Sequence, residues 1–301
     1  MTEYRASFDA DVTFLNGGGL QVQGFRLDVP GPTVSGDDLE RLFVGHLGLL
    51  MVDQVRLSDV AVVAEPHRGS RGGPTETGTG SGTRLVDLSH VIEAGMTTYP
   101  GLPGPEFTPH LTRADSRDHY AEGTEFAIDL IQMVGNTGTY LDSPFHRYEG
   151  GTDLAGLPLD SVADLPVVVV RLTGAAERGI TARALAASDV AGRAVLLHTG
   201  WDRHWRTPGY GDPAPYLAED GARYLVEAGA KLVGIDSVNI DATDGNARPA
   251  HSILLGAEVP VLEHLTRLGD VPVHGARLHA VPAPVRDFGT FPVRAYAVVP
   301  A

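Results

Sequence analysis

The chain has no cysteine and a single lysine, Lys231, among 301 residues. Without thiols there is no disulfide scaffold, thiolate metal centre or cysteine nucleophile. Basic residues are few beside acidic ones: 23 Lys and Arg against 38 Asp and Glu, a formal charge of −15. That balance argues against binding to nucleic-acid backbones or anionic lipid. Long apolar runs are missing as well. The longest, such as Val167 to Val170, fall far short of the ~20 residues that span a bilayer. The opening MTEYRASFDADV has neither the basic start nor the apolar core of a secretory signal. The expectation is a cytoplasmic protein without nucleic-acid or membrane partners. No GxGxxG follows a strand, and GxxxxGK[ST], GxSxG and HExxH do not occur, so dinucleotide, P-loop, serine-elbow and zincin chemistry have no support. The acidic stretch Asp236–Gly245 lacks the spacing of a calcium loop.

What is present is a globular composition, 43% hydrophobic and 20% charged, with enough chain for one large domain or two ordinary ones. The stretch 69–83 reads GSRGGPTETGTGSGT. It holds no apolar residue and is expected to be a flexible linker. It divides a small α+β unit, residues 1–68, from a larger domain, 84–301. In the small unit, Asn16-Gly17-Gly18-Gly19 between two alternating apolar runs predicts a hairpin. Asp37 and Asp38 ahead of Leu39, Leu42, Phe43, His46 and Leu47 predict a helix. Leu49–Val63 reads as one or two strands. The large domain alternates strands and helices. Val167–Leu172, Ala194–His198 and Lys231–Ile235 read as buried strands, Tyr216–Ala228 as a helix ending at Gly229, and Phe291–Val299 as a last strand. The fold class expected is α/β, a mixed β-sheet core with flanking helices.

Three clusters carry chemistry. The densest is Asn136-Thr137-Gly138-Thr139-Tyr140-Leu141-Asp142-Ser143-Pro144-Phe145-His146-Arg147. If Thr139–Phe145 is extended, period two sends Tyr140 and Asp142 to one side, with His146 a further candidate there. A carboxylate and an imidazole beside a phenol make an acid/base site; an Asx-type turn with a solvated His is the bland alternative. Arg147 reads as a solvated loop charge, carboxylate binding being its other reading. The second cluster is His251, at a helix start after Pro249, with Glu263 closing the run Val259–Leu262. The third is Thr199-Gly200-Trp201-Asp202-Arg203-His204-Trp205, after a buried strand, where ligand contacts and core packing are equally open readings.

Taken in order, these stretches resemble the cyclase family that includes bacterial kynurenine formamidase and isatin hydrolase. The family's hallmark is H-x-G-T-H-x-D-x-P-x-H, and this chain reads N-T-G-T-Y-L-D-S-P-F-H, with Gly138, Thr139, Asp142, Pro144 and His146 in register. Val86-Asp87-Leu88-Ser89-His90, Tyr99-Pro100-Gly101, Thr199-Gly200-Trp201, Val233-Gly234-Ile235-Asp236-Ser237, His251 with Glu263, and Pro292-Val293-Arg294-Ala295 also match. The resemblance covers about residues 84–300. It implies a swivelling β/β/α-type catalytic domain, a homodimer or homotetramer, and a small-molecule substrate.

The resemblance also implies a site. The family's two ligand histidines are replaced by Asn136 and Tyr140, and an amide or a neutral phenol is a poorer ligand than imidazole. Asp142, His251 and Glu263 then remain as ligands for one divalent metal, Zn²⁺ or Mn²⁺. His146 is the implied general acid/base, and the resemblance places His90 near the pocket, with a structural hydrogen bond and a substrate contact as equal readings; Asn136 and Trp201 are read from their own chemistry as substrate contacts. The activity implied is hydrolysis of a cyclic or aryl amide or ester, arylformamidase-like. The alternative is a metal-independent cyclase, dehydratase or isomerase of specialised metabolism. In it Tyr140 and Asn136 donate to a substrate oxygen and His146 moves the proton.

Overall fold

The structure, a computed structural model, describes residues 2–15, 19–47, 52–66, 83–211 and 213–300. Two compact units divide the chain, Met1–Gly78 and Thr79–Ala301. The expected turn at 16–18 and the expected linker, apart from Thr83, lie outside the described residues.

In the first unit β1 (Thr2–Phe14) pairs antiparallel with β2 (Gly19–Val29) on one side. On the other it pairs with β3 (Val52–Pro66), one long strand. Helix α1 (Gly36–Leu47) begins at a capping box: Ser35 Oγ accepts from Asp38 N at 3.1 Å and donates to the Asp38 carboxylate at 2.6 Å. Its Leu39 and Phe43 are fully buried, and Phe43 meets Phe8 and Phe25 with ring centroids 5.4 and 5.1 Å apart. This is the apolar stripe that the helical spacing predicts.

The second unit contains, in chain order, β4 (Thr83–Asp87), β5 (Glu106–Leu111), α2 (Arg113–Ser116), β6 (Ile128–Gln132), β7 (Tyr140–Asp142), β8 (Leu165–Arg171), β9 (Gly179–Ile180), α3 (Ala182–Leu185), β10 (Ala194–His198), β11 (Tyr216–Leu217), α4 (Glu219–Glu227), β12 (Leu232–Ile235), α5 (Pro249–Gly256), β13 (Val261–Glu263), β14 (His274–His279), β15 (Thr290–Pro292) and β16 (Tyr296–Pro300). Nine strands form a mixed sheet in the order β15-β7-β13-β12-β10-β8-β14-β16-β4. The inner four, β8, β10, β12 and β13, run parallel. Their continuous apolar sequences follow from burial on both faces. Val167 and Val169 enter one core and Val168 and Val170 the other. Each fully buried Val or Leu here contributes roughly 1.5–3 kcal/mol.

Two elements differ from the sequence reading. The helix expected from Tyr216 starts at Glu219, because Tyr216 and Leu217 pair with Gly179 and Ile180 as a short strand after Pro215. Its end is as read: Gly229 takes φ +82°, Ala230 N bonds to Leu225 O at 3.0 Å and Gly229 N to Val226 O at 3.0 Å, a Schellman closure. The single last strand expected over Phe291–Val299 is two strands at distant places in the sheet. Thr290–Pro292 pairs with β7, and Tyr296–Pro300 lies between β14 and β4. Pro292 has no N–H to continue the ladder.

Candidate active site

The site begins with a strand of three residues. In β7, Tyr140 and Asp142 share one face because side chains alternate. The strand is inserted between β13 and β15, both antiparallel to it. Register then chooses the partners: Tyr140 lies opposite Glu263, and Asp142 opposite Thr290. Both pairings become hydrogen bonds. The Tyr140 hydroxyl donates to Glu263 Oε2 at 2.5 Å, and the Thr290 hydroxyl to Asp142 Oδ1 at 2.5 Å. All four side chains are buried.

The chain leaves β7 through a one-turn 3-10 helix, Pro144–His146. His146 therefore reaches the site by a turn rather than by continuing the strand. Its Nδ1 lies 2.7 Å from Thr290 Oγ1. A threonine hydroxyl has one hydrogen, and here it goes to the Asp142 carboxylate. Thr290 then accepts from His146 Nδ1–H, which leaves Nε2 as the basic nitrogen. Gly289 makes this approach possible: a Cβ on it would stand 2.4 Å from His146 N and 2.5 Å from its Cα.

His251 comes from the first turn of α5, with Pro249 at the favoured first helical position. Asp241 caps that helix. Its Oδ1 accepts from Ala250 N at 2.7 Å, and its Oδ2 from His251 N at 3.0 Å. The same Oδ2 accepts from His251 Nδ1 at 2.7 Å, so the imidazole presents Nε2 to the site. Nε2 lies 3.5 Å from Asp142 Oδ2 and 3.6 Å from Glu263 Oε1.

The charges respond to this packing. Burial works against the Asp142 carboxylate, yet the His251 and His146 imidazoles and the Thr290 hydroxyl hold its pKa below the usual value. Burial likewise opposes a charged His251, but Asp142, Asp241 and Glu263 outweigh it and push its pKa up to about 10. Glu263 is raised to about 7 by burial and by Asp142, against the pull of His251, Tyr140 and Ile240 N. The Tyr140 phenol is raised well above its usual value, first by burial and then by Glu263 and Asp142, and stays protonated.

Asp142, His146 and His251 each offer a ligand atom within 4.8 Å of the others. Asp142 Oδ2 is buried without a hydrogen-bond partner among the described residues. A buried carboxylate oxygen left without a donor is costly. A divalent cation beside it and His251 Nε2 satisfies both atoms, so this donor set fits a metal. Of the ligand set read from the sequence, Asp142 and His251 belong to this grouping and Glu263 does not. Both Glu263 oxygens already accept, Oε2 from Tyr140 and Oε1 from Ile240 N at 2.5 Å.

A cavity of about 470 Å³ opens over these groups, lined by Asn136, Tyr140, His146, His251 and Glu263 among others. Asn136 lines the cavity beside Tyr140. The phenol proton is committed to Glu263, so Tyr140 is not the free donor to a substrate oxygen that the sequence reading envisaged. His90 and Trp201 do not line the cavity. The His90 ring stacks on Trp205 at 4.1 Å. Trp201 packs with Tyr99, Trp205, Tyr210 and Val238 and donates Nε1–H to Tyr210 O at 2.9 Å. The two tryptophans serve an apolar cluster of their own. Sequence reasoning missed Asp241 and Thr290, which orient the two histidines. Asp241 lay in the stretch rejected as a calcium loop, and its signal was a carboxylate upstream of a proline-initiated helix.

Comparison with known proteins gives likenesses of sequence and of fold. A cyclase family model, described as "Putative cyclase", matches residues 86–242. Kynurenine formamidase of Geobacillus thermodenitrificans (strain NG80-2) is 30% identical over 212 residues, 70% of this chain and 95% of that protein. Isatin hydrolase A from Labrenzia aggregata superposes with a TM-score of 0.62 at 23% identity, over 73% of this chain and 94% of that one, a likeness of fold. A "potential metal-dependent hydrolase with cyclase activity" superposes with a TM-score of 0.60 at 28% identity, over 72% and 98% of the two chains.

Proposed function

The chain belongs to the cyclase family, and on that premise we propose that it is a hydrolase of an amide or ester carbonyl, of the arylformamidase kind, with His146 as its acid/base. The observation that carries the reading is the convergence of buried Asp142 with His146 and His251, the two histidines lining one open cavity. The name of the Geobacillus relative supports a formamide as the bond cleaved.

Asp142 and His251 would hold a divalent cation, zinc or manganese, with solvent and substrate oxygens as further ligands. Bound there, the cation supplies Lewis acidity to the carbonyl and lowers the pKa of water. The protein's own part is proton transfer and orientation. His146 Nε2 takes a proton from the attacking water and returns it to the leaving nitrogen or oxygen. Thr290 keeps His146 in the tautomer that leaves Nε2 free. Asp241 does the same for His251 through Nδ1. Burial of Asp142, Glu263 and Tyr140 beneath the cavity keeps their hydrogen bonds from competition with water.

The test is metal content of the purified protein together with turnover of formanilide, a lactam and a lactone, with Zn²⁺ or Mn²⁺ added. The expected result is bound metal, turnover that chelation abolishes, and a 10²- to 10⁴-fold loss in His146→Ala. A protein that takes up no metal and turns over none of these compounds refutes the reading.

A further inference from the structure

The cavity has a positively charged rim that the hydrolytic chemistry does not use. Arg147 and Arg248 both line it, together with His146 and His251. In a chain of formal charge −15, many arginines elsewhere pair with carboxylates, while Arg84 and Arg171 spend their hydrogens on backbone carbonyls away from the cavity. Arg117 pairs with Glu125, Arg206 with Glu93, Arg223 with Glu219 and Arg294 with Asp87. Arg147 and Arg248 have no carboxylate in ion-pairing distance among the described residues.

Both are held in place by neutral partners instead. Arg248 spends Nη1 on three backbone carbonyls, Ala242 O at 3.2 Å, Gly245 O at 2.7 Å and Ala247 O at 2.9 Å. This anchors the guanidinium and leaves its Nε and Nη2 hydrogens uncommitted. Arg147 reaches Ser252 Oγ with Nε at 3.3 Å, and its guanidinium carbon lies 5.1 Å from the centre of the Tyr148 ring. Tyr148 in turn donates to Ser252 O at 2.9 Å. Two oriented, charged forks without a counter-charge form a receptor for a planar anion.

The deeper part of the site is of the opposite sign. Asp142, Asp241 and Glu263 are buried there. While no cation is bound there, these carboxylates outnumber the single cationic His251, and a free carboxylate is repelled from that region and attracted to the two arginines. The two zones therefore impose a direction on a bound molecule, with its anionic end at the mouth and its neutral carbonyl inward at His146.

We infer that Arg147 and Arg248 form an anion subsite, and that the substrate bears a carboxylate a short distance from the carbonyl that is cleaved. The inference rests on the hydrolase reading for the identity of that carbonyl; the anion subsite itself does not require it.

Two experiments separate the inference from that reading. The first is binding of benzoate against benzamide to the metal-depleted full chain, where no cation can attract the carboxylate. Benzoate is expected to bind about 10- to 100-fold more tightly than benzamide, with affinity that falls as NaCl is raised. Arg147→Gln is expected to remove that advantage. Its side chain lies at the surface, so the fold does not hinge on it as the 242–247 loop hinges on Arg248. The second is turnover of formanilide against its ortho-, meta- and para-carboxylates with metal added. At least one carboxylate is expected to exceed formanilide about 10-fold or more in kcat/KM, mainly through KM, with the ratio collapsing to near unity in Arg147→Gln. If formanilide equals every carboxylate and benzoate binds no better than benzamide, the subsite is refuted while the hydrolase stands. If no compound is turned over yet benzoate binding depends on Arg147, the hydrolase reading fails and the subsite stands.

Discussion

Asp241→Asn places a single polar-for-charged exchange beneath the site. The carboxylate accepts three hydrogen bonds, two through Oδ2 and one through Oδ1. An asparagine has one acceptor oxygen. Turned toward His251, it keeps the backbone and Nδ1 bonds but faces the Ala250 N–H with its own NH₂, a buried donor left unpaired. That costs about 1–3 kcal/mol. The two surviving bonds lose their ionic character, about 1 kcal/mol each, and the first turn of α5 loses its favourable negative charge, roughly 0.3–1 kcal/mol. The sum is a destabilisation of about 4 kcal/mol, read as a lower urea midpoint at unchanged slope. A second effect is separable from it. A less strongly held Nδ1–H lowers the basicity of Nε2, and metal affinity measured by competition with a chelator is expected to fall about 10- to 100-fold. The ¹⁵N shifts of His251 in the folded variant report the tautomer directly. A variant with wild-type midpoint and wild-type metal affinity would refute the reasoning, since both losses follow from one carboxylate.

Thr290→Val keeps the shape of the side chain but removes the hydroxyl shared by Asp142 and His146. Turnover is expected to fall about 10²-fold; turnover equal to that of the wild type contradicts the tautomer argument. Gly289→Ala drives a Cβ into the backbone of His146. It is expected to displace the 3-10 turn and abolish turnover, with amide shifts in an NMR spectrum centred on residues 143–148. Acid sensitivity follows from two histidines kept neutral by burial, His90 with its pKa lowered to about 4 and His264 to about 3. Each folded pKa lies below the unfolded value of 6.5, so below that pH the unfolded chain binds the extra protons. Stability is unaffected above it and falls as pH drops toward 4, by about 1.4 kcal/mol per pH unit for the fully buried His264 and less for His90. Urea titrations of His264→Gln are expected to show a shallower fall between pH 6 and 4.5; an unchanged slope argues against a neutral His264.

The legibility of this molecule depended on how locally each feature is encoded. Strands β8, β10 and β12 were readable because burial on both faces demands unbroken apolar runs. Asp142, His146 and His251 were readable because side chains of their kind stand in a recognisable spacing. Thr290 was not, since nothing near it in sequence marks a threonine whose partner lies 148 residues away in a neighbouring strand; only the register of β7 against β15 reveals it. Asp241 was hidden for a related reason, because its role appears only when the 241–250 loop folds back on α5. Trp201 stood equally open to ligand and core because aromatic residues in a post-strand loop suit both, and His90 entered only through the family resemblance, with a structural role an equal reading. Packing against Tyr210, Trp205 and Val238 decided for the core. Tyr140 was read as a donor to substrate because a lone sequence cannot show that Glu263 already holds its proton.

The narrow middle strand has one more consequence. β7 is three residues long, and its neighbours β13 and β15 are made more than a hundred residues later. A nascent chain displays Asp142 and His146 early, but the hydroxyl that links them emerges 148 residues after Asp142. Competence is thus acquired only when β15 zips onto β7. A chain cut short before Thr290 would carry Asp142, His146, His251 and Glu263 and still lack the bond that aligns the first two, so catalysis doubles as a report that β15 has docked on β7.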